Sequence, residues 1–238
     1  MRCFLELHVD DVLLSRDPFR WPEVARLLDR VATIAENEGA ALSFRVRAWF
    51  AEGDVYAFLK HLERRGHEVG AHAHGRDLRR GVAALRRGGI DPQVMAPGLV
   101  QVGDRGRLKL LRVAQSLGAS VITDRLESRH FSYQGWLPWE PLPGLRMLDI
   151  SVSPFEWGVL QERDGKVVPA WGRLDWAALD RYAAKAESWP EPPGRRAFFG
   201  ATFHEHDLCP EGTLAPLALD GLSRWCARWR PARSAECG

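Results

Sequence analysis

Residues 66–74 read GHEVGAHAH, a short strand-like run that begins at a glycine turn and ends on two histidines one residue apart. A segment with helical periodicity precedes it at 54–65, and a helix-compatible segment follows it at 77–87. Strands that alternate with helices in this way favour a parallel sheet with helical crossovers. The stretch therefore predicts an α/β protein and places both histidines at the carboxyl end of a strand.

The same alternation continues along the rest of the chain. Further strand-like runs lie at 3–9, 41–50, around Val94, at 119–123 and at 197–203, and further helical segments at 21–38, 104–117, 175–187 and 213–228. The pattern predicts one domain over residues 1–238, built as a closed or distorted barrel or as an open doubly wound sheet. The tail from Pro231 is expected to fray.

Residues 131–176 depart from this rhythm, because aromatic side chains stand there among several prolines. We interpret the segment as an aromatic-rich insertion, which either covers a binding face or packs as a long loop. Within it, Gln161–Val168 reads as a hairpin with its tip at Asp164 and Gly165.

Composition excludes several classes of function. The chain has 238 residues, with 33 Lys and Arg against 31 Asp and Glu, for a formal charge of +2. It carries no polybasic run, so we expect no nucleic-acid or membrane partner. The 4 cysteines form no CxxC pair, and no export signal is recognisable near Met1. We therefore expect reduced thiols and a cytoplasmic location.

Residues capable of chemistry follow the predicted strands. They are Asp10 and Asp11 after the first strand, His72 and His74 after the third, Pro97 and Gly98 after the fourth, Asp124 after the fifth, and His204 to Asp207 after the last. In a βα-barrel the carboxyl ends of all strands meet at one face, where such folds build their sites. We expect these residues to converge there.

The residue types indicate a metal site. Asp10 and Asp11 point to opposite sides of an extended chain, so one can reach a metal and the other a nearby water, unless they only cap the next helix. His72 and His74 lie on one face and suit a chelating pair for zinc or a similar ion. Together with Asp11 they form a two-histidine, one-carboxylate set with positions open for water and substrate.

The remaining histidines allow several roles. His204 and His206 could be further ligands, a general acid or exposed loop residues, and imidazole has a pKa suited to proton donation near neutrality. His8 could face the barrel interior alongside Asp10, and a buried structural histidine is the alternative.

Together these elements resemble the polysaccharide deacetylase family, also known as the NodB-homology domain or carbohydrate esterase family 4. The segment 8–12, HVDDV, resembles the first family motif, and 66–72, GHEVGAH, is very close to its most specific signature. Three later segments also resemble family motifs, namely 96–98, the Leu117–Asp124 region and 203–207. The resemblance spans residues 2–208.

The resemblance implies a distorted (β/α)7-8 barrel and a metal-dependent hydrolase that removes an acetyl or similar acyl group from a sugar. Asp10 would be the general base, Asp11 and His72 metal ligands, and His204 the general acid, with zinc, or else cobalt, nickel or manganese, as the metal. We expect a small-molecule or oligosaccharide substrate. Its predicted contacts are Pro97, Gly98, Asp124, Trp136, Trp139 and His206.

The sequence departs from the family pattern at a metal-ligand position and at a position that orients the base. Arg76 stands where the family has its second ligand histidine, so His74 would have to substitute for it. Met95 is nearest to the position of an arginine that orients the base. Arg45 and Arg47 are candidates for that task, and outward-facing surface arginines are the alternative.

Two other functions remain open on the sequence. The departures at Arg76 and Met95 would suit a non-catalytic carbohydrate-binding pseudoenzyme. A hydrolase of another amide or of a phosphoester on a similar barrel is also compatible, although in such families the His-x-His pair usually ends the first strand. The sequence leaves the oligomeric state open.

Overall fold

The computed structural model describes residues 1–9, 21–48, 53–75, 77–99, 102–125, 137–163, 165–208 and 216–237. Strand β1 (Arg2–Val9) is buried on both faces along most of its length. Burial of both faces is typical of a parallel strand covered by helices. The predicted parallel arrangement is confirmed, because β1 pairs in parallel with a strand on each side.

The strands form one large sheet and one hairpin. Following β1, their bounds are β2 (Ser43–Val46), β3 (Glu68–His72), β4 (Val94–Ala96), β5 (Val121–Asp124), β6 (Trp139–Leu142), β7 (Leu145–Asp149), β8 (Gly158–Arg163), β9 (Lys166–Leu174) and β10 (Phe198–His204). The large sheet has the order β10-β1-β2-β3-β4-β5-β7-β6, in which only the β6–β7 pair is antiparallel.

Helices cover the outer face of this sheet. Their bounds are α1 (Trp21–Asn37), α2 (Gly53–Arg64), α3 (Leu78–Arg87), α4 (Asp104–Ser116), α5 (Pro154–Trp157), α6 (Trp176–Ala186), α7 (Glu205–Leu208) and α8 (Pro216–Trp229), followed by a short 3₁₀ helix (Ser234–Glu236). The apolar face of α1 packs on outward-facing residues of the strands, among them Leu5, Leu7 and Phe44. None of the described helices is both long and apolar enough to cross a bilayer.

The sheet curls until its two ends meet. After β7 the chain forms a parallel bridge between Val152 and Ala201 of β10. Ser151 N donates to Gly200 O at 2.8 Å, and Thr202 N donates to Val152 O at 3.2 Å. The predicted distorted (β/α)7-8 barrel is thus confirmed, and the open doubly wound alternative is wrong.

The barrel interior is layered. Phe4, Val94, Val121, Leu148 and Phe198 belong to a buried apolar cluster at the amino-terminal end of the strands. A buried charged layer follows, containing Glu6, Arg45 and Glu68, and a layer of histidines lies at the carboxyl ends. The interior is filled by side chains, as in other small βα-barrels.

The C-terminal segment closes the amino-terminal end of the barrel. Ala232 N donates to Cys3 O at 2.9 Å, and Ser234 N donates to Ser43 Oγ at 3.1 Å. Ser234 and Cys237 are buried. The expectation that the tail frays from Pro231 is therefore wrong, because its polar groups have partners inside the barrel.

The aromatic-rich segment contributes strands as well as loops. Its described part supplies β6 and β7 to the large sheet, and the predicted hairpin is confirmed by the antiparallel pairing of Gln161 with Val168 in β8 and β9. Trp157 is fully buried, and its Nε1 donates to Thr202 O at 3.2 Å. Part of the aromatic content therefore serves packing.

Candidate functional site

Three strands deliver histidines to the carboxyl end of the barrel. In the parallel register, His8 of β1 lies opposite His204 of β10, and His72 ends β3, two strands away on the other side. The His8 ring lies 4.3 Å from the His72 ring and 5.1 Å from the His204 ring, measured between centroids. The predicted convergence of these strand ends is thus seen for the described histidines.

His72 and His74 present the same ring nitrogen to each other. The two Nε2 atoms lie 3.1 Å apart. Two nitrogens bound to one zinc ion at about 2.0–2.1 Å each would lie roughly 2.9–3.4 Å apart for ligand angles between a right angle and tetrahedral. The His72–His74 geometry fits a pair of ligands on one divalent ion.

The tautomer of His72 agrees with this fit. Its Nδ1 lies 3.1 Å from the carbonyl oxygen of Ala96, which accepts only if Nδ1 carries the proton. The lone pair then lies on Nε2, the atom that faces His74. A backbone carbonyl that fixes the ring in this way is the usual support of a metal-bound histidine.

The third expected ligand lies beyond the described residues. Asp10, Asp11 and Trp136 all fall outside them, as does the side chain of His206. Within the described part of the chain, no group of three or more His, Cys, Asp or Glu side chains is arranged to hold a metal ion. The structure therefore describes the two imidazoles of the expected set, and the metal and its carboxylate ligand stay predictions.

His204 is held by the helix turn that follows it. Its backbone N donates to Asp207 Oδ2 at 2.7 Å, and its Nδ1 lies 3.4 Å from the same oxygen. The Asp207 side chain is buried, whereas 28% of the His204 side chain is exposed. The imidazole is thus oriented by a buried carboxylate and open to a ligand from solvent.

His8 lies inside the site and carries a hydrogen bond that orients it. Its Nε2 lies 2.7 Å from Glu6 Oε1. Burial lowers the pKa of His8 to about 4, and the neighbouring His72 adds to this, so the ring is neutral near pH 7. His8 therefore faces the barrel interior and is at the same time a largely buried histidine held by a hydrogen bond, so the structure fits both predicted roles.

A buried network of charged residues contacts His8 through Glu6, on the side of the histidines that faces the amino-terminal end of the barrel. Arg45 Nε lies 2.9 Å from Glu6 Oε2, and Arg45 Nη2 donates to Glu68 Oε1 at 2.5 Å. Ser234 Oγ also donates to Glu68 Oε1, at 2.6 Å. Arg45 also donates through Nε to Thr123 Oγ1 at 3.1 Å. The network connects the C-terminal segment to the histidine layer.

Sequence reasoning missed Glu6 and Glu68, although a signal for both was present. Each is a carboxylate in an otherwise apolar strand, and Glu6 shares one face with His8 because side chains alternate along a strand. The surface alternative for Arg45 and Arg47 is wrong, since both are buried. Arg47 Nη2 donates to Asp77 Oδ2 at 2.9 Å.

Asp124 anchors the loop that follows β4. Its Oδ2 accepts from the amides of Gly98 at 2.7 Å and Leu99 at 2.9 Å, and its Oδ1 accepts from Arg125 N at 2.8 Å. Burial raises the pKa of Asp124 to about 6, against the opposing effect of these amides. The substrate contact expected of Asp124 stays a prediction.

The same loop packs on the His74 segment. Gly75 N donates to Pro97 O at 3.0 Å. Gly98 has φ of +76°, and a Cβ there would lie 2.7 Å from Ala73 O, so the close approach requires glycine. Pro97 and Gly98 are thus beside the histidine pair, as expected.

Trp139 lies on β6, opposite Met147 of β7.

Solved structures of low sequence identity share this fold. A protein assigned as a polysaccharide deacetylase from Mycobacterium smegmatis is 15% identical, with a TM-score of 0.61 over 99% of this chain and 88% of that one. A family 4 acetyl xylan esterase from Clostridium thermocellum, solved with a cobalt ion, is 12% identical, with a TM-score of 0.52 over 100% and 90%.

A third similar structure is a carbohydrate esterase family 4 pseudoenzyme from Bacillus anthracis, 11% identical, with a TM-score of 0.55 over 99% of this chain and 64% of that one. No family model and no curated protein matches the sequence. The chain has the fold of the carbohydrate esterase family 4 deacetylases, so the predicted resemblance is confirmed at the level of fold.

Proposed function

We propose that this protein is a metal-dependent hydrolase that removes an acetyl or similar acyl group from an N-acylated sugar or sugar-containing small molecule. The observation that carries the proposal is the 3.1 Å approach of His72 Nε2 to His74 Nε2, with the His72 tautomer set by Ala96. The deacetylase and the acetyl xylan esterase of the same fold support the choice of an acylated saccharide.

His72, His74 and Asp11 would hold the metal, with zinc as our first choice and cobalt, nickel or manganese as alternatives. A divalent ion held there would polarise an acyl carbonyl and make a bound water more acidic. In this assignment His74 takes the place of the histidine that the family has at the position of Arg76. The neutral ring of His8 packs against His72 and limits its movement.

Two residues would move protons. Asp10 is the base that accepts a proton from the attacking water. His204 is the acid that donates a proton to the leaving amine nitrogen as the carbon–nitrogen bond breaks. Asp207 keeps the His204 ring oriented through its 3.4 Å contact with Nδ1.

Substrate contacts would come from the loops around the histidines. Pro97 and Gly98 lie beside the His74 segment, where Asp124 holds the loop in place. Trp136, Trp139 and His206 complete the predicted contact set. Aromatic rings suit this task because their faces are apolar and their indole N–H groups can donate to hydroxyls.

A non-catalytic saccharide-binding protein is the second candidate. The replacement of a ligand histidine by Arg76 favours it, and a pseudoenzyme with the same fold shows that such descendants occur. Both candidates predict that the protein binds a saccharide. Only the hydrolase predicts that the bound saccharide is also deacylated, so turnover distinguishes them.

The experiment that separates them is acetate release by the zinc- or cobalt-loaded protein from a panel of N- and O-acetylated mono- and oligosaccharides. We expect release that chelation abolishes and metal restores. Asp10→Asn and His204→Gln should each lower the rate by about 10²- to 10⁴-fold, as expected for loss of a general base or acid. His61→Gln, on the exposed side of α2, is the matched control.

Saccharide binding without acetate release, unchanged by Asp10→Asn, would support the binding protein instead. Release of phosphate from phosphoesters, or hydrolysis of other amides in place of acetylated sugars, would move the assignment to another hydrolase on this barrel.

A cytoplasmic location is part of the proposal. It agrees with the free thiols of Cys3, Cys226 and Cys237 in the described part of the chain. Burial raises the pKa of each of these thiols to about 12. Subcellular fractionation tests it, and recovery in an extracellular or periplasmic fraction would count against it.

A further inference from the structure

A basic groove lies between α3 and α4 on the outside of the barrel. It is open to solvent and has a volume of about 430 Å³. Its lining includes Arg79 of α3 and Arg105, Leu108, Lys109, Arg112 and Ser116 of α4. All four cations are exposed. The groove lies outside the histidine cluster and plays no part in the mechanism proposed above.

Among the described residues, no acidic side chain in the groove balances its positive charge. No acidic side chain is among the described residues that line it, and none of its four cations forms an ion pair with a described residue. Other arginines on the surface do have acidic partners, as Arg65 has in Asp29 and Glu36. The whole chain carries only +2, so the groove is a local excess of positive charge.

Two described acidic side chains flank α3 along the chain, and each pairs with an arginine outside the groove. Asp77, just before α3, pairs with Arg47 at 2.9 Å, and Asp91, after α3, pairs with Arg86 at 2.8 Å. The cations of α4 stand at intervals of four and three residues, which places them on one face of the helix. From Arg105 to Arg112 this row extends about 10 Å along the axis.

The groove is fixed relative to the candidate site. Arg79 lies in the first turn of α3, which follows β3 and the His72–His74 pair. Arg107, buried in α4, donates through Nε to Leu99 O at 3.1 Å. The amide of Leu99 in turn binds Asp124. The amino-terminal ends of both helices are therefore held at the end of the barrel where the histidines lie.

We propose that this groove binds the anionic part of the substrate, and that the substrate is a saccharide chain bearing carboxylate or phosphate groups on successive units. Guanidinium groups match carboxylates and phosphates with two parallel hydrogen bonds. A row of cations over about 10 Å suits several spaced anions rather than one. The proposal deepens the proposed function and rests on it for the saccharide class.

Fluorescence anisotropy tests the proposal by direct binding, independent of turnover. The probes are a labelled oligogalacturonate, which carries one carboxylate on each sugar, and a labelled neutral xylo-oligosaccharide of the same length. We expect the intact protein to bind the acidic chain at least tenfold more tightly. The preference should shrink as salt rises, because exposed charges are screened over about 10 Å at 0.1 M.

Substitutions in the groove and on α1 test where the acidic chain binds. Arg105→Gln with Arg112→Gln should reduce affinity for the acidic chain at least tenfold and leave the neutral chain unaffected. Arg26→Gln with Arg30→Gln, two exposed positions on α1, removes the same charge elsewhere and should change affinity less than twofold. Arg105→Lys with Arg112→Lys keeps the charge and should retain most of the preference.

Equal affinity for the two chains, or equal losses in the groove and α1 variants, would overturn the proposal. Tighter binding of single-stranded RNA or of phosphatidylglycerol vesicles, lost in the same groove variants, would replace the saccharide by another polyanion. If the groove binds the acidic chain but acetate release is absent, the proposed function fails while the groove assignment stands.

Discussion

His8 Nε2 lies 2.7 Å from Glu6 Oε1, inside a barrel whose two neighbouring histidine rings contact His8 from either side. Glu6 is completely buried, and its other oxygen forms an ion pair with Arg45 at 2.9 Å. The histidine layer therefore rests on a charged layer, and the position of His72 and His204 depends on residues two strand positions deeper in the barrel.

Replacing His8 by phenylalanine should test this dependence. The ring remains but the hydrogen bond to Glu6 is lost, which leaves a buried carboxylate oxygen without this donor. We expect a loss of about 1–3 kcal/mol in the free energy of unfolding, measured in urea. His61→Phe, on α2, should change it by less than about 0.5 kcal/mol. Equal effects of the two substitutions would contradict a role for the Glu6 contact.

Glu68 should make stability depend on pH. Although its burial acts to raise the pKa, the charge of Arg45 and hydrogen bonds from Ser234 and Ala235 hold the pKa of Glu68 below its usual value. A carboxylate whose folded-state pKa is depressed stabilises the protein above its unfolded-state pKa of about 4.3 and loses that contribution as the pH falls.

We therefore expect the stability of the unmodified protein to fall steeply below about pH 4.3, and Glu68→Gln to flatten this decline. At pH 7 the same variant should lose about 3–5 kcal/mol, because Arg45 is left with one buried partner fewer. Urea unfolding at several pH values measures both. Glu23→Gln, an exposed position on α1, should keep the full slope, and an unchanged slope in Glu68→Gln would refute the assignment.

Metal content should depend on both His72 and His74. Elemental analysis after reloading with zinc should find about one equivalent in the unmodified protein and at least a tenfold lower affinity in His72→Ala and in His74→Ala, since each removes a direct ligand. His61→Ala should retain the metal. Retention of metal by His74→Ala would show that another residue supplies the second imidazole position.

Gly70 should tolerate no side chain. A Cβ there would lie 2.4 Å from Val94 O and 2.7 Å from Arg45 Nη1, so alanine would push against backbone and against the charged layer. We expect Gly70→Ala to destabilise the protein by at least about 1–3 kcal/mol. Gly103→Ala, where a Cβ meets nothing within 4 Å, is the matched control. Thermal unfolding of the two variants makes the comparison.

Much of the architecture was accessible from the sequence because it follows from local patterns. The alternation of apolar runs with helical segments predicts parallel strands, and a parallel βα order places all carboxyl ends on one face. That argument alone brings His72 and His74 to the same end of the barrel as His204. The hairpin at 161–168 could also be predicted from neighbouring residues, because it depends on the turn at its tip.

The errors and omissions involve contacts between residues distant in sequence. The tail from Pro231 has a polar, unpatterned sequence that suggests fraying, yet Ser234 is buried against Glu68, 166 residues away. The sequence left open whether Arg45 and Arg47 lie inside the barrel or on its surface, because their partners Glu6, Glu68 and Asp77 are distant in sequence. No local pattern specifies such partners.

The sequence by itself determined the order of strands and helices outside residues 131–176, the end of the barrel that carries the chemistry and the residue types available there. All three follow from periodicity and chain direction. Only the tertiary structure decided that the barrel closes through Val152 and Ala201, that His8 belongs to the site and that charged residues fill the layer below it. The physical reason is that a buried charge is stable only beside its counter-charge, and long-range packing decides which residues meet.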